Sequence, residues 1–271
     1  MHMNALVCFK IVPDLDMMSE KDWIIRDSFQ IDTSFVKKMI NPYDESAIET
    51  ALKFSDASED LCLHALTIGG RQSDMYLKTL YALQFARAAR VEASDDLRFH
   101  PEIVAAAISK YVTEMDPQDM IFMGRQSGEG DNGKTPFLVA EMLGWPCISE
   151  IIRVDPVDGQ FVSVTGMTDE GILTQVVALP CVFSVGNVAG AYMRVPTLKD
   201  RMKYGKRDID VIDIENFGLN SSVGMQTDSV ELKDAVVVSH KRKSIAIEGD
   251  SIRQKVKVLY QNYLDDRLGK V

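Results

Sequence analysis

Up to Pro146 the chain alternates between two hydrophobic rhythms. Short continuous apolar runs at 5–12, 61–68 and 120–123 read as strands buried on both faces, with a shorter run at 88–92. Between them apolar residues recur at helical spacing: Ala47, Ile48, Ala51 and Leu52, then Leu77, Leu80, Tyr81, Leu83 and Phe85, then Ile103, Val104, Ala107, Ile108 and Val112. Helices are therefore expected over about 46–54, 74–89 and 101–115, and another from Pro136 to about Leu143. Asn41 ahead of Pro42 predicts an N-cap followed by proline at the first helical position. Residues 17–32, mixed around Trp23, Ile24 and Ile25, read as a loop or hairpin excursion. Strand and helix in alternation predict an α/β fold: an open, mostly parallel sheet with helices on both faces, of the Rossmann-like kind.

After Pro146 the rhythm changes. Segments 148–154, 160–165 and 173–179 alternate or run β-branched, and Asp158-Gly159 is a turn signal. They predict an inserted antiparallel hairpin over about 148–179, with 181–185 returning to the sheet. From 208 to 250 the chain is thin in core formers and rich in Ser, Asp and Gly, broken by apolar beads at 235–238 and 245–247. The final segment, 251–264, predicts an amphipathic helix with Ile252, Val256, Leu259, Tyr260 and Tyr263 near one face. The expected division is an α/β domain over 1–207 and an extended C-terminal arm over 208–271.

Charge narrows the function. The net charge of -10 argues against general attraction to nucleic acid or to anionic membranes. Within this acidic chain, 191–207 is the most basic stretch, either a solvated helix end or a docking surface for an acidic partner. No apolar run approaches the roughly 20 residues that span a bilayer, and no signal peptide is visible. Cys8, Cys62, Cys147 and Cys181 are widely spaced in apolar surroundings, which fits buried thiols and a reduced, cytoplasmic compartment. No metal-site, triad or hydrolase pattern is present; His64 reads as a packed core histidine and His100 as a helix cap.

The stretch richest in site chemistry is Gly124-Arg125-Gln126-Ser127-Gly128-Glu129-Gly130-Asp131-Asn132-Gly133-Lys134-Thr135, between a strand and a helix. Such a loop can offer backbone N–H groups to an anion at a helix N-terminus, or can be a plain surface loop. It lacks Walker spacing and does not fit the dinucleotide fingerprint. Open parallel sheets bind ligands beyond the carboxyl ends of their strands. The residues there are the end of the first strand near Cys8, the Asn41-Pro42-Tyr43-Asp44 turn, Ile68-Gly69-Gly70 and this loop. The residues alone thus indicate a nucleotide-binding α/β domain without visible catalytic machinery.

Several motifs in order resemble the β subunit of electron transfer flavoprotein. They are Leu6-Val7-Cys8-Phe9-Lys10-Ile11-Val12-Pro13-Asp14, Asn41-Pro42-Tyr43-Asp44-Glu45 with Ala47-Ile48-Glu49 and Ala51-Leu52, and Gly124-Arg125-Gln126 with Gly130-Asp131. Leu143-Gly144-Trp145-Pro146, Leu179-Pro180 and Arg194-X-Pro196-Thr197-Leu198 follow. The resemblance runs from Leu6 to about Lys206 and more loosely onward. It implies an electron carrier that holds AMP, or a second FAD, while a partner α subunit carries the redox-active FAD. Cys8, Asn41 to Asp44, Ile68 and Gly124 to Thr135 would be the nucleotide contacts. Leu198 would insert into a partner dehydrogenase, such as an acyl-CoA dehydrogenase, and the C-terminal arm would wrap the α subunit.

The chain departs from the family pattern in places. Lys134 stands where glutamine is usual, Gly128-Glu129 where an apolar residue and aspartate are usual, and Gln84 replaces a glycine. Arg71 follows Gly69-Gly70 where proline or a small residue is usual, and Phe99-His100-Pro101 replaces a polar helix start. These changes bear on which nucleotide binds, and Lys134 is expected to pair with a phosphate or to shift the loop. An adenylyl transferase or ATP hydrolase would instead need catalytic groups in the crevice, with Lys134 and Asp131 as candidates. A nucleotide sensor of the universal stress protein type would end with its sheet, whereas this chain continues past Asp208.

Overall fold

The computed structural model describes residues 3–26, 29–58, 60–93, 96–219, 233–238 and 244–268. The buried runs become strands β1 (Met3–Phe9), β4 (Leu61–Ile68), β5 (Arg87–Glu92) and β6 (Met120–Gly124), with β2 (Ile11–Pro13) and β3 (Lys38–Ile40) forming a separate antiparallel pair. Helices α1 (Pro42–Asp56), α2 (Asp74–Ala82), α3 (Pro101–Lys110) and α4 (Thr135–Leu143) alternate with them. Then come β7 (Cys147–Pro156), β8 (Phe161–Thr168), β9 (Gly171–Ala178), β10 (Cys181–Val185), α5 (Leu198–Tyr204) and β11 (Asp210–Asp213).

Nine strands form the main sheet in the order β11-β5-β4-β1-β6-β10-β7-β8-β9. Every pair from β11 to β7 is parallel, and β7–β8 and β8–β9 are antiparallel. The expected hairpin is therefore the antiparallel wing of the same sheet, joined through the parallel pairing of β7 with β10. Cores lie on both faces. On one, α1 and α2 pack over Val7, Phe122 and Phe183, where the rings of Phe54, Phe122 and Phe183 follow at 6.3 and 5.0 Å between centroids. On the other, α3 and α4 cover Leu6, Leu66 and Ile121.

Four expectations shift. The first strand stops at Phe9, because Lys10 turns its amide to the Asp44 carboxylate (2.8 Å). The helix expected to about Ala89 ends at Ala82, because Gln84 adopts φ 70 and reverses the chain. Leu83 and Phe85 thus pack beyond the helix. The segment past Asp208 opens with β11, paired to β5, and Arg87 Nε donates to Asp210 Oδ2 (2.7 Å) there. His100 occupies the cap position of α3 without a side-chain cap bond. His64 is a packed core residue, its Nδ1 2.8 Å from Asp116 Oδ2.

Residues 234–271 form a second compact unit. In it α6 (Ile252–Leu259) leaves Ile252 and Val256 exposed, and Val236 to Val238 are exposed as well. The parts of the expected arm at 220–232, 239–243 and 269–271 lie outside the described residues. Among the described residues no helix is long and apolar enough to cross a membrane.

Candidate functional site

Strand order reverses between β1 and β6, the place where open α/β sheets present a crevice. A cavity of about 490 Å³ sits there, at the ends of β1, β4 and β6 and beside the first turns of α1 and α4.

Asp44 is the brace of the cavity. One carboxylate oxygen accepts the Lys10 amide at 2.8 Å and the other accepts the Gly124 amide at 2.9 Å. One side chain of α1 thus ties together the ends of β1 and β6. Burial pushes its carboxyl up to about 6, against the N–H bonds from Lys10 and Gly124 and the Asn41 side chain, which favour the charged form. Close approach makes the pairing possible: a Cβ on Gly124 would collide with Asp44 Oδ1 and come within 2.7 Å of the Asp44 nitrogen and the Tyr43 carbonyl carbon.

Asn41 sits at the cap position of α1, 1% exposed, but its amide reaches across the cavity wall and donates to Gln126 O at 2.8 Å. Its Oδ1 is buried and has no partner in the chain. A buried acceptor without a donor is costly, and Asn41 lines the cavity, where a ribose hydroxyl or an adenine amino group could supply one if the amide turned toward it. The group implied by the fold therefore fits the residues present.

The loop from Gly124 to Thr135 forms one wall. Gly130 (φ +83) and Gly133 (φ +61) supply the left-handed turns that swing it around to α4. Thr135 and Pro136 bring the first turn of α4 to the cavity, where helix-end N–H groups favour an anion. At the mouth, Lys10 Nζ lies 3.0 Å from Glu129 O and 3.4 Å from Glu129 Oε2. Arg98 chelates Asp96 through Nε and Nη2, which holds that carboxyl below its usual range. Gly130 packs directly on the Arg98 carbonyl, so the two loops close the outer side together. Arg125, on the cavity wall, pairs with Glu150 and lies 5.2 Å from the centre of the Tyr43 ring. The Cys8 thiol is pushed up by burial and by the nearby Asp44 charge, so it remains a protonated wall group.

Of the residues marked in the sequence, Cys8, Asn41, Asp44 and Ile68 line the cavity. So do Gly124, Arg125, Gln126, Ser127, Glu129, Asn132, Gly133 and Thr135 of the loop. Pro42, Tyr43, Gly128, Gly130, Asp131 and Lys134 do not. Lys134 and Asp131 are exposed. An enzyme reading that needs them in the crevice therefore loses its two candidates. Sequence reasoning passed over Lys10, Ile31, Leu97 and Arg98, which line the cavity, whereas Pro101, marked there as a departure near the site, lines it as well. The strand-end rule that found Ile68 applies equally after β5 and would have reached Leu97 and Arg98. Among the described residues, no group of three His, Cys, Asp or Glu side chains could hold a metal.

The electron transfer flavoprotein domain model matches residues 28–215. The chain is 31% identical over 268 residues to YgcR of Escherichia coli (strain K12), named for an electron transfer flavoprotein subunit, covering 98% of this chain and 99% of that one. It is 27% identical to the electron transfer flavoprotein subunit beta of Dictyostelium discoideum, over 85% of this chain and 89% of that one. It is 29% identical to the acryloyl-CoA reductase electron transfer subunit gamma of Anaerotignum propionicum, over 85% of this chain and 84% of that one. With this match and this cavity together, the chain belongs to the electron transfer flavoprotein family.

Proposed function

We propose that the chain is the β-type subunit of a cytoplasmic electron transfer flavoprotein. It pairs with an FAD-carrying α subunit and shuttles electrons between a flavin dehydrogenase and an electron acceptor or donor. Its own cavity holds an adenine nucleotide, AMP or the adenylate half of a second FAD. The observation that carries the nucleotide reading is a cavity at the strand-order reversal walled by the glycine loop, the start of α4 and Asn41, whose buried Oδ1 has no partner in the chain. Flavin, where bound, supplies the one- and two-electron chemistry; the protein supplies position and surroundings. The loop amides and the first turn of α4 hold the phosphate, Asn41 reads the nucleoside, and the Cys8 and Ile68 segments edge the base. Leu198 docks on the dehydrogenase, and the arm over 208–271 wraps the α subunit.

Co-expression with the α partner tests the assembly: a yellow heterodimer is expected, and a colourless monomer indifferent to that partner contradicts it. Asn41→Ala tests the site. It removes the bond to Gln126 and the waiting acceptor, a loss of about 1.4 kcal/mol or roughly tenfold in affinity. AMP titration calorimetry on the heterodimer, emptied of nucleotide, measures it; equal affinities would remove Asn41 from the site.

A further inference from the structure

The basic stretch at 191–207 carries an exposed apolar tip on a fixed base. Val195, Leu198 and Met202 are 78%, 74% and 66% exposed, and Lys199, Arg201 and Lys203 are exposed around them. Both flanks are pinned. On the C-terminal side the Arg207 guanidinium lies 5.5 Å from the Tyr81 ring centre and 5.2 Å from that of Tyr204. On the N-terminal side the pins come from α1.

Glu45, Glu49 and Asp56 stand at i, i+4 and i+11 of that helix, which places them along one face. Burial pushes the Glu45 carboxyl up, and the nearby Met193 backbone works against that. Glu49, only 5% exposed, accepts the Arg194 amide at 3.0 Å and the Arg194 guanidinium at 2.9 Å from Nη2. Asp56 takes Nη1 of the same guanidinium at 2.8 Å. A planar fork across two carboxylates fixes direction as well as distance, which the point charge of a lysine does not. Glu49 also needs its cation, because a buried carboxylate left alone is costly.

We infer that the acidic stripe of α1 and Arg194 form a clamp that sets the posture of the Val195–Leu198–Met202 tip. Arg194 is then a positioning residue for docking on a protein surface that offers an apolar notch rimmed by acidic groups. This rests on the proposed docking role of the segment.

Hydrogen exchange of the heterodimer reads the clamp. In Arg194→Gln, amides over 193–198 are expected to exchange at least about tenfold faster, with α2 to α4 unchanged. Arg194→Lys, which keeps one contact, falls between. Glu49→Gln with Arg194→Gln removes the stranded carboxylate and is expected to loosen the same stretch and no other. Exchange over 193–198 within twofold of the parent, or loosening spread through the sheet, overturns the clamp.

Steady-state kinetics with a flavin dehydrogenase shown to reduce the parent heterodimer reads the docking. Arg194→Gln is expected to raise KM for the heterodimer about tenfold with kcat within twofold, and Arg194→Lys to restore part of it. If Leu198→Ala raises KM and Arg194→Gln does not, the positioning role is overturned while the docking role stands. If neither changes KM, the docking role fails and the inference falls with it, whatever the exchange shows.

Discussion

Gly124→Ala is expected to cost about 4 kcal/mol of stability, from overpacking of about 1–3 kcal/mol and loss of a hydrogen bond to a charged group of about 1.5–3 kcal/mol. The added methyl meets Asp44 Oδ1 and the backbone at Tyr43 and Asp44, so β6 and α1 must part to make room. Parting them breaks the 2.9 Å bond from the Gly124 amide to Asp44. For a chain of this size the melting temperature should fall by roughly 10 °C, and AMP affinity should fall with it. Gly128→Ala is the control in the same loop, since a Cβ there meets nothing within 4 Å and its melting temperature should stay at the parent value. Thermal unfolding followed by circular dichroism separates the two; equal melting temperatures would show that the close approach at Gly124 is not needed.

Asp44→Ala is expected to have a comparable effect for a different reason. It leaves the Lys10 and Gly124 amides inside the protein without their acceptor, at about 1–3 kcal/mol for each donor. The parent also carries a pH signature. Asp44 is raised to about 6 in the folded chain from an ordinary value of 3.8. The folded state therefore binds the proton more tightly than the unfolded state. The contribution of Asp44 to stability is then greatest below about pH 4, is lost as pH rises through about 6, and is flat above, an order of about 3 kcal/mol overall. Carbon-detected NMR of the Asp44 carboxyl should show a midpoint near 6. The stability gap between parent and Asp44→Ala should widen on going from pH 7 to pH 4. A midpoint near 4 would show that the two N–H bonds offset burial in full.

The parallel half of the sheet was legible because β1, β4 and β6 are buried on both faces and so read as unbroken apolar runs. The end of α2 was not. The left-handed turn there falls on Gln84, which carries none of the signal a glycine would give. Strand β11 was hidden because Asp210–Asp213 is an edge strand with only Ile212 buried, too short and too polar for its period to show. In the site, the glycine loop announced itself by composition, and the turn at Asn41 by its proline. What stayed hidden was direction. Nothing in the order of residues shows that Lys134 and Asp131 stay off the cavity wall while Lys10 and Arg98 line it, since that depends on how the chain turns, at Gly130 and Gly133 among other places. Asp44 was marked as a nucleotide contact, and the structure shows it occupied by two backbone amides of its own chain. Its proposed part in binding is then to hold the walls together.

The central claim is that this subunit holds an adenine nucleotide in the cavity at the β1/β6 reversal while its partner holds the redox flavin. Acid release from the purified heterodimer, with the nucleotides separated and counted, tests it most directly. The account predicts one FAD and one AMP per heterodimer, or two FAD, with the AMP or the second FAD lost selectively in Gly124→Ala. A single FAD with no second adenine nucleotide, or a second nucleotide retained in full when Gly124 is changed, would contradict it.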